Sequence, residues 1–292
     1  MVDGRAASAR SRGAREPAEV PISRATHTHL AEYAAEALGL GLFMMSACGF
    51  AVLLFDPASP VVTIVRAPLP RFAAMGIAMG LTLMVDIYAP WGRLSGAHLN
   101  PAVTLTFYRL GKMARRDLLG YVVAQFTGGL LGTGVATLLF RPWIADAAVD
   151  YAVTVPGATG SGIAFLAELL ISFVLMLAVL SASSRPRLAR YTGVIAGLLV
   201  ALYVTFETPI SGMSMNPART VGSAAFAHRW TALWLYFAAP LLGMLGAGEL
   251  FRSSRASRAR SCAKLHHDSR FRCIFCEHHS PRPGVWEGDP TR

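Results

Sequence analysis

Ser95-Gly-Ala-His-Leu-Asn-Pro-Ala-Val-Thr104 and Ser211-Gly-Met-Ser-Met-Asn-Pro-Ala-Arg-Thr220 share one frame, Ser-Gly-x-x-x-Asn-Pro-Ala-x-Thr. Asn before Pro is the grammar of a helix start. Asn100 and Asn216 are the caps, and Pro101 and Pro217 take the first helical position, where a missing N–H costs nothing. Ala102 and Ala218 complete each triplet. The apolar stretches that follow, Pro101 to Tyr108 and Pro217 to Ala227, are only about half a membrane thick. They read as re-entrant half-helices, tolerated at depth when enclosed by protein or lining a wet cavity. Their positive N-terminal ends and the two Asn amides would then be aimed at something polar near the midplane.

The rest of the chain has the composition such helices need. Of its 292 residues, 53% are hydrophobic and 15% charged, below the charged fraction of an ordinary soluble domain. Six apolar spans, at about 31–55, 71–89, 118–140, 163–183, 191–207 and 231–251, are long enough to cross about 30 Å of hydrocarbon as helices. The net charge of +10 comes from basic residues that flank these spans. That distribution argues against a nucleic-acid-binding face. Arg93, Arg109, Lys112, Arg115 and Arg116 lie between spans two and three, and Arg185, Arg187 and Arg190 between spans four and five. By the positive-inside rule these loops, and both Arg-rich termini, are cytoplasmic in a multi-pass protein of the cell membrane. Residues 1–30 lack an apolar core and read as a disordered basic tail rather than a cleavable signal.

The apolar region, 31–251, repeats itself as 31–140 and 163–251. Ala35-Glu36 in span one recurs as Ala167-Glu168 in span four, the Asn-Pro-Ala frames match, and the Gly-rich run 125–134 matches 239–248. A unit holding three spans inserts with opposite topology in its second copy. Inverted repeats place the functional site at the interface between copies. The fold expected is an all-α membrane protein of six transmembrane helices and two half-helices meeting nose to nose.

This order of motifs resembles the aquaporin, or major intrinsic protein, family over residues 31–251. The resemblance implies one pore per protomer, a homotetramer, and passive conduction of water, with small uncharged solutes as further passengers. In the family the position of Arg219 lines the narrowest constriction. The position usually held by a His falls at Val204. The aromatic position falls at Met79 if 89–93 carries a one-residue insertion, or at Gly80 if not, and Met213 takes the third place. Such a ring is less polar than a strict water filter, so a glycerol or small neutral solute facilitator is the runner-up. A non-conducting structural protein on the same scaffold is a further alternative. Thr220, Ala224 and Tyr236-Phe237 resemble water channels instead.

The residues carry a mechanism of their own. Asn100 and Asn216 offer amide donors where two half-helix dipoles converge, so a water there turns its oxygen to both and breaks a proton wire. Arg219 is a charge inside an apolar segment, which marks a pathway. Backbone carbonyls of Gly96, Ala97, His98, Gly212, Met213 and Ser214 are expected to line the pore as acceptors. Glu36 and Glu168, symmetrically placed, are expected to accept from loop N–H groups otherwise unpaired. His98 resembles the family's loop His, which implies a hydrogen bonder that orients its loop. Gly128, Gly132, Gly243 and Gly246 read as close helix crossings. Asp86 departs from the apolar pattern without an explanation at this level.

The spans hold no His or Lys to serve as a base, so an enzyme is not expected. The segment 252–292 is basic and contains Cys262, Cys273 and Cys276 near His266, His267, His278 and His279. Cys273-x-x-Cys276 before His278-His279 has the form of a zinc-ligand pair. No second well-spaced pair accompanies it. The reading is therefore a solvated cytoplasmic tail with no metal or cofactor. The partners expected are water, small neutral solutes, the bilayer and further copies of the chain.

Overall fold

The computed structural model describes residues 29–253 and 262–279. The expectation for 1–30 thus falls almost wholly outside the described residues. Among these, every regular element is a helix: α1 (Leu30–Phe55), α2 (Pro60–Ile64), α3 (Pro68–Tyr88), α4 (Pro90–Ser95), α5 (Pro101–Arg109), α6 (Arg115–Leu139), α7 (Gly160–Ser183), α8 (Pro186–Ala189), α9 (Thr192–Ser211), α10 (Pro217–Ala227), α11 (Leu235–Arg252) and α12 (Ile274–His279). Five of them, α1, α3, α6, α7 and α9, are long and apolar enough to cross a membrane. The sixth, α11, has 18 residues. Span six was expected to begin at 231. It begins later because the chain turns through left-handed residues at His228 and Ala232. Span five outlasts its expected end at 207, running through Pro209 to Ser211.

The helices pack as two matching sets. α1 lies against α6 as α7 lies against α11, and α3 of the first set packs along α9 of the second. The half-helices cross over, α5 touching α11 and α10 touching α6. Small residues permit the tightest of these approaches. A Cβ on Gly128 would sit 2.2 Å from the Ala37 carbonyl oxygen, and one on Gly132 at the same distance from that of Gly41. Gly243 makes the equivalent contact with Leu169. Gly246 does not, since a Cβ there meets only the Phe173 ring at 3.7 Å.

Polarity is arranged inside out. Glu36, Glu168 and Gln125 are fully buried, while Ile77, Leu138, Leu166 and Leu202 are exposed on the outer faces. An outward apolar girdle is what a hydrocarbon surround stabilises, and Glu36, Gln125 and Glu168 are tolerated inside because each is hydrogen-bonded. Asp86 gains its explanation here: its carboxylate accepts the indole N–H of Trp91 at 3.0 Å, which ties the end of α3 to α4.

The tail departs from its expectation. Ala263, Leu265, Cys273, Ile274 and Phe275 are buried, because they pack against the loop before α5 instead of entering solvent. Phe275 stacks on His98 with ring centroids 5.5 Å apart.

Candidate functional site

Asn100 and Asn216 cap α5 and α10 as their neighbours in sequence require. The Oδ1 of Asn100 accepts Ala102 N–H at 2.9 Å, and that of Asn216 accepts Ala218 N–H at 3.0 Å. With Oδ1 used for the cap, each amide NH₂ turns to the opposite loop. Asn100 Nδ2 donates to the Met215 carbonyl at 2.7 Å, and Asn216 Nδ2 donates to the Leu99 carbonyl at 2.7 Å. An amide nitrogen carries two hydrogens, so each Asn keeps one for the space between the helix ends.

The loops leading in are near copies. Gly96, Ala97 and Leu99 have positive φ, as do Gly212, Met213 and Met215. Each non-Gly residue held there costs about 1–2 kcal/mol, so something must hold these loops. Buried carboxylates do so. Glu168 Oε1 accepts Ser214 N–H at 2.6 Å and Ser211 Oγ–H at 2.7 Å, and Oε2 accepts Met215 N–H at 2.7 Å. Glu36 accepts Leu99 N–H and, at 2.8 Å, the Gln125 amide. Tyr121 and Tyr236 repeat the symmetry by donating to the carbonyls of Ser95 and Ser211. Both Glu side chains thus support loops, and neither lines the cavity described next.

One cavity of about 310 Å³ runs past both Asn residues. Met79, Val204, Met213 and Arg219 all line it. Gly80, the alternative to Met79, faces α9 instead, where a Cβ would come within 2.5 Å of the Gly197 carbonyl. Arg219 is buried and reaches Ser223 Oγ at 3.5 Å, so its guanidinium lies along its own helix beside the cavity. Pro101, Ala102, Pro217 and Ala218 face packing, and of the two triplets only the Asn residues line the space.

The lining carbonyls need one correction. Ala97, His98, Gly212, Met213 and Ser214 line the cavity, but Gly96 does not. Its carbonyl accepts the Leu265 N–H of the tail at 3.0 Å. Leu99 and Met215 also line the space and were not anticipated. Each has positive φ and offers its carbonyl to the Asn amide of the opposite loop, which places it beside the two Asn residues.

Four ligating groups meet in the tail. Cys262, His267, Cys273 and Cys276 each bring one atom to within 4.8 Å of the others. Hydrogen bonds from Cys262 and Cys276 hold the Cys273 thiol well below the usual thiol range. Hydrogen bonds with Cys273 and Cys276 push His267 up to about 10. Sequence spacing pointed instead to His278 and His279, whose side chains lie outside the described residues.

Comparison with known proteins agrees with this architecture. The model of the major intrinsic protein family matches residues 23–251. The chain is 36% identical to a probable NIP-type aquaporin of Nicotiana alata over 64% of its own length and 67% of that protein's. It is 28% identical to Aquaporin Z of Photorhabdus laumondii over 76% of this chain and 96% of the other. Among solved structures, the aquaglyceroporin from Plasmodium falciparum superposes with a TM-score of 0.66 at 20% identity, covering 80% of this chain and 99% of that one.

Proposed function

The chain belongs to the major intrinsic protein family, and on that premise we propose how its residues conduct. It is a multi-pass membrane channel for water and small solutes. The observation that carries the residue-level reading is the reciprocal pair Asn100–Met215 and Asn216–Leu99 inside the cavity that Arg219 also lines. One hydrogen of each amide fixes the side chain, and the other is offered to a passing water. A water oxygen accepting from both has its own hydrogens turned outward to lining carbonyls, so neighbouring waters cannot relay a proton through it. The convergent helix dipoles oppose cations at the same point, and Arg219 opposes them again at the filter. The protein needs no covalent chemistry and no cofactor for this, and the reading is a transporter rather than an enzyme.

Arg93 pairs with Asp268 of the tail and Arg109 with Glu249 near the end of α11. The second basic loop joins them through Tyr88, which donates to the Arg190 carbonyl at 2.8 Å and meets the His266 ring of the tail at 5.1 Å, so both basic loops share a face with the described chain ends. That supports cytoplasmic termini under the positive-inside rule, in the cell membrane. The homotetramer rests on the family alone.

A second reading, facilitation of glycerol or another small neutral solute, is favoured by the Met79, Val204 and Met213 lining. Three side chains without a strong hydrogen-bond donor leave only Arg219 to compete for a hydroxyl. Vesicles bearing the protein should shrink faster under an osmotic step, with low activation energy and no proton flux. Parallel glycerol uptake separates the two readings. A proton current comparable with the water flux would sink the amide mechanism.

A further inference from the structure

The tail lies across the end of the cavity that faces the chain termini. Leu265 N–H donates to the Gly96 carbonyl, and the Ala263 carbonyl lies 2.9 Å from His98 Nε2. Lys264 Nζ donates to the Arg93 carbonyl at 2.6 Å. These contacts carry the Leu265 side chain to the cavity wall, where it lines the same space as Asn100 and Asn216.

What folds this strap is not evident from its core. Its one helix, α12, has 6 residues, and short segments rarely bury enough apolar surface to order themselves without a staple. The four ligating groups supply the geometry of one. Cys262 Sγ and Cys273 Sγ are 3.4 Å apart, and Cys276 Sγ and His267 Nε2 are 3.5 Å apart. A tetrahedral zinc with bonds of about 2.3 Å to sulfur and about 2.0 Å to nitrogen spaces its ligand atoms roughly 3.5–3.8 Å from one another. Three thiolates and an imidazole are a soft donor set that selects zinc over the hard cations. All three tail cysteines are free thiols.

We propose that Cys262, His267, Cys273 and Cys276 form a zinc site, and that the zinc-locked strap holds Leu265 across the terminal end of the cavity. The site stands on its own geometry, while the closure rests on the channel reading above. Loading closes the ligand loop from 262 to 276. Stripping the metal releases the strap, takes Leu265 and Phe275 off the loop before α5, and opens the cavity at that end. The flux of this channel then answers to free zinc on the side of its termini.

Full-length chain purified under reducing conditions should contain about one zinc per chain by elemental analysis, and Cys273→Ser/Cys276→Ser should lose it. In vesicles, a zinc chelator reaching the terminal face should raise water flux several-fold, and added zinc should reverse the rise. Leu265→Gly leaves every ligand in place, so it should keep its zinc, start at the raised flux and ignore the chelator. A chain that conducts but holds no zinc, or shows a Cys262–Cys273 disulfide by mass spectrometry, overturns the site and leaves the channel reading intact. Zinc present with flux indifferent to both chelator and Leu265→Gly overturns the closure. Zinc present with no water flux from any form, Leu265→Gly included, overturns the channel reading and the closure with it.

Discussion

The two Asn-Pro-Ala loops are near copies, yet they are braced differently. The second is backed by the connection from α6 to α7, which is anchored in the membrane at both ends. There Gly157 N–H donates to the Ile210 carbonyl at 2.9 Å, and Thr154 Oγ1 lies 3.1 Å from Thr220 Oγ1. The first loop is backed by the tail segment 262–279, through the Leu265–Gly96 hydrogen bond and the Phe275–His98 stack. A brace carried between two spanning helices persists for as long as the fold does, whereas the tail, on the zinc reading above, is held by its ligand cluster and comes away when that cluster opens. The symmetric repeat therefore holds an asymmetric pair of mouths, one permanent and one releasable.

The largest expected effect tests what the loops share. Glu168→Ala strands the N–H groups of Ser214 and Met215, at about 1–3 kcal/mol each, so folded yield should collapse. Glu36→Ala should also lower yield. Thermal unfolding in detergent compares the two, and normal yield with altered solute choice would mean that these carboxylates face the pore after all.

The next test separates the braces. Gly96 and Gly212 both have positive φ, and a Cβ on either would come within 2.9 Å of its brace, Lys264 for the first and Val155 for the second. Overpacking costs typically 1–3 kcal/mol, added to the conformational penalty. Truncation after Arg252 should relieve the packing part for Gly96→Ala and none of it for Gly212→Ala. Equal penalties before and after truncation would end the distinction.

Thiols placed at matching frame positions sharpen it further. Ala97 and Met213 both line the cavity. Met213→Cys should give mercurial inhibition of water flux, reversible by added thiol, in the truncated chain, whose remaining natural cysteine is the buried Cys48. In the same background, Ala97→Cys should react from the terminal side. With the strap in place, peptide mass mapping should find, of the two introduced thiols, only that of Met213→Cys modified. A reacted but uninhibited Met213→Cys channel would remove that residue from the filter.

The smallest effect belongs to Val204→His. A ring that narrows and gains a polar group should reduce any glycerol flux more than water flux, by a shift on the order of 1 kcal/mol in their ratio. An unchanged ratio would show that the filter is set elsewhere.

Much of this was legible before any coordinates. Asn-Pro is local grammar, so both half-helix starts appear at their expected residues. Glu36 and Glu168 were assigned by symmetry alone, because a matched pair of buried carboxylates in an inverted repeat implies a shared structural task. Met79 could be separated from Gly80 only by three-dimensional packing. The cross-bonds of Leu99 and Met215 depend on contacts over 115 residues or more, which no window displays. The tail cluster was hidden for a related reason. Cys262 and His267 stand 11 and 6 positions before Cys273, a spacing without a signature, and only folding against His98 brings them near Cys276.

The reciprocal Asn bonds also bear on how the chain is made. Met215, the acceptor for the Asn100 amide, is synthesised 115 residues later. At about 5–20 residues per second that interval is roughly 6–23 s. Through all of it the first half sits at the membrane with its re-entrant loop lacking the partner that fixes the amide. The insertion machinery, or lipid-shielded contacts with α1 and α6, must shelter that loop until α10 arrives. A ribosome stalled between α6 and α10 would leave a half-built protein holding an unanswered polar group within the bilayer, a natural target for quality-control proteolysis.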